Sequence, residues 1–129
     1  MFHFFKKHES TKPPYLEKID QLPKLDIIRL KGRMDQNMIP VAEDRIRENR
    51  QHGGRIEKNI LLDFSKVEYV DSAMIAFHIV HLREYRQKGF DIGFINITEQ
   101  LHGLLDIFKD EAIFDVYVSE AEAVSILNQ

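Results

Sequence analysis

Short apolar segments alternate with helical patterns along most of this chain. The apolar run at residues 59–64 is too short for a helix and lacks the every-second-residue alternation of a half-exposed strand, so it predicts a strand covered on both faces. An earlier strand is predicted to close at the turn residue Gly32, after an N-terminal edge strand. The predicted strands cover residues 15–19, 26–31, 59–64, 91–97 and 116–118.

Helical patterns fall between these strands and after the last one. A polar helix is predicted over residues 40–52, and a strongly apolar helix over 73–88 that Gly89 ends. Thr98 is a predicted N-cap for a helix with a buried stripe, and Ser119 with Glu122 forms a predicted capping box for the last one. That stripe consists of Leu101, Leu104, Leu105 and Phe108. Alternation of this kind requires crossover connections and predicts a single α/β domain, with a mixed, mostly parallel sheet, an N-terminal edge strand and helices packed on the sheet.

The chain length of 129 residues suits one domain and is short for two. We expect residues 15–129 to form this domain and residues 1–14 to form an N-terminal tail. The tail combines Phe2, Phe4 and Phe5 with basic residues and ends in Pro13-Pro14, so a short membrane-touching or partner-docking arm is the alternative.

Composition excludes several classes of function. The absence of cysteine rules out thiolate zinc sites, redox CxxC chemistry and a cysteine nucleophile. A net charge of −3 argues against direct nucleic-acid binding. The sequence contains no apolar run long enough to span a bilayer and no signal-peptide pattern, which predicts a cytoplasmic protein without a transmembrane segment. No cofactor is predicted, because GxGxxG and P-loop sequences are absent.

Ser72 stands out at the predicted start of the apolar helix. Its side chain is suited to act as the N-cap, which is a purely structural role worth about 1 kcal/mol. The functional interpretation is that an exposed hydroxyl here is phosphorylated, adding roughly −1.5 to −2 charges beside Asp71 and repelling a partner while the fold survives. The helix has more apolar residues than one buried stripe needs, so part of its first turns is expected to remain exposed or to meet another protein, with a flexible Met74 at the edge of that surface. Burial of all these residues is the alternative.

His78 and His81 lie three residues apart and could reach one metal ion, but no further ligand has recognisable spacing. Solvated or stacked histidines are the simpler interpretation, and no metal site is predicted. Ser72 does not lie in a G-x-S-x-G elbow, and the sequence places no general base beside it. The sequence therefore predicts a protein that is not an enzyme.

Residues 59–75, NILLDFSKVEYVDSAMI, resemble the signature of STAS domains, the fold shared by anti-sigma-factor antagonists and the cytoplasmic ends of sulfate transporters. In that family an apolar strand ends in Asp and a short loop, after which Asp-Ser opens a helix. Residues 30–35, LKGRMD, are similar to an upstream turn of the family, and segments 88–90, 104–105 and 113–116 extend the resemblance over roughly residues 15–128.

The resemblance implies that an anti-sigma kinase phosphorylates Ser72 and that the helix start binds the partner. The implied partner-binding residues are Asp35, Asp71, Ser72, Ala73, Met74 and Ile75. Met74 departs from the family, which commonly has Gly at that position, so a bulky side chain is expected to hold a partner's backbone away or to anchor it.

The predicted function is a regulatory module that binds an anti-sigma factor or related serine kinase and is controlled at Ser72. The alternative is a STAS subunit of a membrane transport or signalling complex, without a phosphoswitch. A homodimer is left open.

Overall fold

The structure is a computed structural model that describes residues 14–41, 43 and 55–129. Its strands are β1 (Leu16–Gln21), β2 (Leu25–Met34), β3 (Asn59–Val70), β4 (Ile92–Ile95) and β5 (Asp115–Val116). Its helices are α1 (Ser72–Gln87), α2 (Glu99–Ile107) and α3 (Glu120–Leu127), with a 3-10 helix at Gln36–Met38. The predicted tail, apart from Pro14, and most of the predicted helix at 40–52 lie outside the described residues.

The five strands form one sheet in the order β1-β2-β3-β4-β5. β1 is antiparallel to β2, and the other neighbouring pairs are parallel. α1 and α2 provide the crossover connections that the parallel pairs β3–β4 and β4–β5 require. This architecture confirms the predicted single α/β domain with a mixed, mostly parallel sheet and an N-terminal edge strand.

β3 is buried on both faces, as its continuous apolar run predicts. Leu62 and Phe64 point into the larger apolar cluster, which α1 and α2 cover. Leu61 points to the opposite face, where it packs with Ala123 and Leu127 of α3. Among the described residues, no helix combines the length and apolar content that crossing a bilayer requires.

The prediction that Gly32 closes the second strand is wrong, because β2 continues to Met34. Gly32 has a φ of +75°, and the pairing register between β2 and β3 shifts directly after it. A glycine in this conformation allows an irregularity in the strand instead of a turn. β2 therefore ends level with β3, with Met34 beside Val70.

Arg29 organises a polar cluster on the α3 face of the sheet. Its guanidinium contacts the buried carboxylate of Asp63 at 2.9 Å and that of Asp20 at 3.0 Å, and it also binds Glu120 at the start of α3. Burial alone would raise the pKa of Asp63, but hydrogen bonds from Asn96, the Ser65 backbone and Arg29 outweigh it and hold the pKa below its ordinary value. The cluster satisfies a buried charge and joins α3 to the sheet.

Gly93 in β4 has no space for a side chain. A Cβ at this position would lie 2.6 Å from Cε2 of Tyr117 and 3.2 Å from Cδ1 of Leu127. We expect Gly93→Ala to lower the free energy of unfolding by about 1–3 kcal/mol, because the Tyr117 ring must shift. Gly103→Ala in α2 is the matched control: nothing lies within 4 Å of its Cβ, and it should stabilise the protein by about 0.5–1 kcal/mol. Urea denaturation measures both, and equal effects of the two substitutions would contradict this packing.

His78 is a half-buried histidine whose Nε2 is buried and has no hydrogen-bond partner among the residues that the structure describes. Its ring meets those of Phe77 and Phe94 edge-on, with centroids 5.8 and 6.5 Å away. Burial, with a smaller contribution from His81, lowers the pKa of His78 to about 4. Between pH 6.5 and 4 only the unfolded chain takes up this proton, so stability falls as the pH falls through that window.

We expect His78→Leu to reduce this acid sensitivity. From pH 7 to pH 4.5 the wild type should lose up to about 2–3 kcal/mol more unfolding free energy than the variant, the amount that corresponds to the shift in pKa. Denaturation curves of both proteins at the two pH values measure the difference. Parallel losses in the two proteins would show that the pKa of His78 is not lowered in the folded protein.

Candidate partner-binding and phosphorylation site

The candidate site lies where β2 and β3 end side by side. β2 is followed by Asp35 and the 3-10 helix, and β3 is followed by Asp71 and α1. Because the two strands are parallel and Met34 pairs with Val70, both connections begin at the carboxyl ends of neighbouring strands, on the same side of the sheet. The structure thus brings Asp35 close to the start of α1, although 36 positions separate Asp35 from Asp71 in sequence.

Asp71 is the residue that caps α1. Its Oδ1 accepts a hydrogen bond from the backbone N–H of Met74 at 3.0 Å, and its Oδ2 accepts one from the N–H of Gln36 at 2.8 Å. Its own N–H donates to the carbonyl of Met34 at 3.2 Å. One carboxylate therefore fixes the helix start and holds the 3-10 helix against it.

The prediction that Ser72 caps the helix is wrong. Asp71 has extended backbone angles, φ −101° and ψ 172°, whereas Ser72 is already the first helical residue. A cap must lie outside the helix for its side chain to reach a first-turn N–H, so the cap role falls to Asp71. The Ser72 side chain is exposed, and the capping of α1 does not depend on its hydroxyl.

Met74 and Ile75 belong to the core. Their exposed fractions are 1% and 0%, and both pack in the larger apolar cluster with Ile79 and Leu82. Their side chains are turned towards the sheet, so in this structure neither is available to a partner, and the interpretation of Met74 as an adaptable contact or an obstacle is wrong. Of the predicted surface residues on α1, Ser72 is exposed and Ala73 is partly exposed.

The exposed side of α1 continues from Ser72 along its own face. Ala76 and Val80 are both exposed, Val80 to 60%. Positions four residues apart lie one above the other on a helix, so Ser72, Ala76 and Val80 form one stripe, here called the α1 stripe. The excess of apolar residues in this helix indicated such a face, but it did not show which residues form it.

Asp35 caps the 3-10 helix in the same way that Asp71 caps α1. Its Oδ1 accepts from the N–H of Asn37 at 3.0 Å, and its Oδ2 lies 3.9 Å from Nε of Arg33. Arg33 in turn lies over the ring of Tyr69, 4.4 Å from the centroid. The surface near Ser72 thus carries the carboxylates of Asp35 and Asp71. It also carries the guanidinium of Arg33, which already contacts Asp35 and the ring of Tyr69.

Gln100 completes the support of the site from α2. Its side-chain amide donates to the carbonyl of Val70 at 2.9 Å, and its carbonyl oxygen accepts from the N–H of Val70 at 3.2 Å. The last residue of β3 is therefore held in place just before Asp71. No local pattern in the sequence indicated this contact, because it joins residues 30 positions apart.

His81 contacts two residues of its own helix, Glu84 and Phe77. Its Nδ1 is 3.8 Å from Glu84, and its ring meets that of Phe77 with centroids 4.5 Å apart. Within residues 14–41, 43 and 55–129, no group of three or more His, Cys, Asp or Glu side chains is placed to hold a metal ion.

The chain belongs to the STAS domain family, whose model matches residues 17–123. A comparison with curated proteins finds no match.

Solved structures of two kinds share the fold. A putative anti-sigma factor antagonist from Thermotoga maritima aligns with a TM-score of 0.73 at 15% identity, covering 87% of this chain and 94% of that one. The Bacillus cell fate determinant SpoIIAA in its phosphorylated form aligns with a TM-score of 0.61 at 16% identity, covering 84% and 96%. The murine solute carrier 26 family member A9 anion transporter aligns with a TM-score of 0.68 at 18% identity, covering 92% of this chain and 20% of the transporter.

Alanine substitutions of Asp71 and Ser72 distinguish the residue that caps α1 from the candidate phosphorylation site. Asp71→Ala removes the acceptor of two backbone hydrogen bonds and should lower the free energy of unfolding by about 1–2 kcal/mol. Ser72→Ala alters an exposed side chain and should change it by less than about 0.5 kcal/mol. Chemical denaturation compares the two, and a larger loss in Ser72→Ala than in Asp71→Ala would contradict the assignment of the cap.

Proposed function

We propose that this STAS domain is a non-enzymatic regulatory module of the cytoplasm that binds an anti-sigma factor or a related serine kinase, and that phosphorylation of Ser72 ends the complex. The observation that carries the proposal is that Ser72 is exposed at the first position of α1 while Asp71 supplies the cap. Its hydroxyl can therefore be modified without disturbing the start of the helix.

The expected effect of a phosphate follows from its charge. It brings roughly −1.5 to −2 charges to a surface that already holds two carboxylates, those of Asp35 and Asp71. The N-terminus of a 16-residue helix tolerates an anion, so the fold should persist. A partner seated on the α1 stripe would instead have to bury this doubly charged group, which is strongly unfavourable.

The kind of partner is supported by the fold of the neighbours. Among the solved structures that share it are anti-sigma factor antagonists, and one of these, SpoIIAA, is present in both its unphosphorylated and its phosphorylated form. This chain places an exposed serine after the Asp that follows β3, which is the position that the resemblance to those proteins implies for phosphorylation.

A second function is favoured by the alignment with the anion transporter, which covers 92% of this chain. In that case the domain is a fixed subunit of a membrane transport or signalling assembly, and Ser72 has no regulatory role. This alternative predicts co-purification with a membrane component and no effect of charge at position 72.

Kinase assays and matched charge variants distinguish the two functions. After incubation of the full chain with the serine kinases of its own genome, we expect mass spectrometry to locate phosphate on Ser72. Ser72→Asp should weaken binding to the cognate kinase at least tenfold, about 1.4 kcal/mol, because it places a charge on the contact surface. Ser125→Asp, the same change at an exposed position on α3, should bind as the wild type does, as should Ser72→Ala.

Phosphate on a different residue, or equal binding by Ser72→Asp and the wild type, would contradict the proposed switch. Equal binding together with retention in a membrane complex would support the second function.

The α1 stripe provides an independent test of the binding surface. Val80→Lys introduces a charge two turns from Ser72 and should weaken the complex about tenfold, because a charge must be desolvated in the contact. Ile126→Lys on α3 is the control, since Ile126 is 51% exposed and Val80 is 60% exposed. Calorimetric titration measures both, and an equal loss in the two variants would place the partner elsewhere.

A further inference from the structure

The end of β3 reaches beyond the strand that pairs with it on one side. β4 pairs with β3 only up to Asp63, opposite Ile95, whereas β3 continues to Val70. On its other side, β3 stays paired with β2 as far as Val70. Among the described residues, no strand pairs with residues 64–70 on the β4 side, although this stretch leads directly into Asp71 and α1.

The side chain of Gln100 takes the place of a strand at Val70. Its amide donates to the carbonyl of Val70 at 2.9 Å and accepts from the N–H of Val70 at 3.2 Å. In a hydrogen-bonded pair of antiparallel strands, two residues exchange the same groups. Val70 is 1% exposed, so without this amide both of its backbone groups would be buried and unpaired, which is costly.

Gln100 is itself fixed by the first turn of α2. Thr98 caps this helix, and its Oγ1 accepts from the N–H of Leu101 at 3.1 Å. Leu101, the residue after Gln100, is fully buried and packs in the larger apolar cluster. The amide of Gln100 therefore extends from a backbone that the cap and the core hold in place.

The position of Val70 affects the whole start of α1. Asp71 follows Val70 directly, and its carboxylate accepts from the N–H groups of Met74 and Gln36 at 3.0 and 2.8 Å. Hydrogen bonds weaken steeply away from their preferred distance and angle, so these two bonds require the carboxylate to lie between α1 and the 3-10 helix. A shift of Val70 would move Asp71 with it and weaken both bonds.

We propose that Gln100 is a positioning residue of the partner-binding and phosphorylation site. By holding Val70 it sets the orientation of Asp71, and thereby the arrangement of Ser72 and the 3-10 helix that a partner meets. It acts through the backbone of Val70, so the switch involves α2 as well as α1. The effect on the partner rests on the proposed function, whereas the effect on Asp71 does not.

Amide hydrogen exchange of the full chain, followed by NMR, tests the positioning without a partner. Gln100→Met removes both polar groups at nearly the same side-chain length, and the N–H of Val70 should then exchange about tenfold faster. Because Gln100 positions Asp71, the N–H groups of Met74 and Gln36 should also exchange faster, by about threefold. A purely local role of the amide would change the exchange of Val70 alone.

Further variants control for bulk and for stability. Gln100→Ala, which removes the same groups and favours a helix, should give the same pattern. Gln87→Met, the same substitution at the exposed last residue of α1, should leave all three amides unchanged. The exchange of the Leu62 amide in the buried strand β3 reports global unfolding, so the rates in each variant are compared after correction for it.

The cognate kinase supplies the second measurement. Gln100→Met should lower the rate of Ser72 phosphorylation and the affinity for the partner by about three- to tenfold, because the surface that the kinase meets is less well ordered. Gln87→Met should leave both unchanged.

Two results would overturn the inference. One is faster exchange at Val70 alone, with Met74 and Gln36 unchanged. The other is phosphorylation and binding by Gln100→Met equal to those of the wild type. A wild type that gains no phosphate on Ser72 would instead contradict the proposed function, and the exchange rates would still decide the role of Gln100.

Discussion

The burial of β3 on both faces is the constraint on which the rest of the structure depends. In its first half, Leu62 and Phe64 point into the apolar cluster that α1 and α2 cover, and Leu61 points into the cluster that α3 covers. Its neighbours on both sides are parallel strands, β2 and β4. The segment that follows β3 therefore begins directly after Val70, which is itself buried in the core, and that segment carries Asp71 and Ser72.

Asp71 fixes the backbone of the surface that follows β3. The carboxylate binds the N–H groups of Met74 and Gln36, so the ends of two neighbouring strands and the start of α1 form one unit. Ser72 lies next to this unit with its side chain exposed. A change of charge at this hydroxyl leaves the core intact and alters the surface, which is the division of roles that a binding switch requires.

Much of the fold could be predicted from local sequence patterns. The apolar run at residues 59–64 predicted the two-sided burial of β3, and the caps Thr98 and Ser119 are confirmed. These features depend on side chains that act within one turn or one strand. The end of β2 was missed because a glycine with positive φ is compatible with both a turn and an irregular strand, and the distinction depends on pairing with β3.

The site was predicted less completely than the fold. Asp71 and Ser72 are both good caps, and only the backbone angles show which of them lies outside the helix. The many apolar residues of α1 left its rotation undetermined, so Met74 and Ile75 were placed on the surface although they lie in the core. The contact between Gln100 and Val70 depends on the packing of α2 and has no local signature.

The most direct test of the central claim is a map of amide chemical shifts during titration of the isotope-labelled chain with its cognate anti-sigma kinase, without ATP. We predict that the largest changes fall on residues 35–37 and on Ser72, Ala73, Ala76 and Val80, and that the same titration with the Ser72-phosphorylated chain leaves them unchanged. Changes concentrated at β5 or α3, or equal changes with both forms of the chain, would contradict the account.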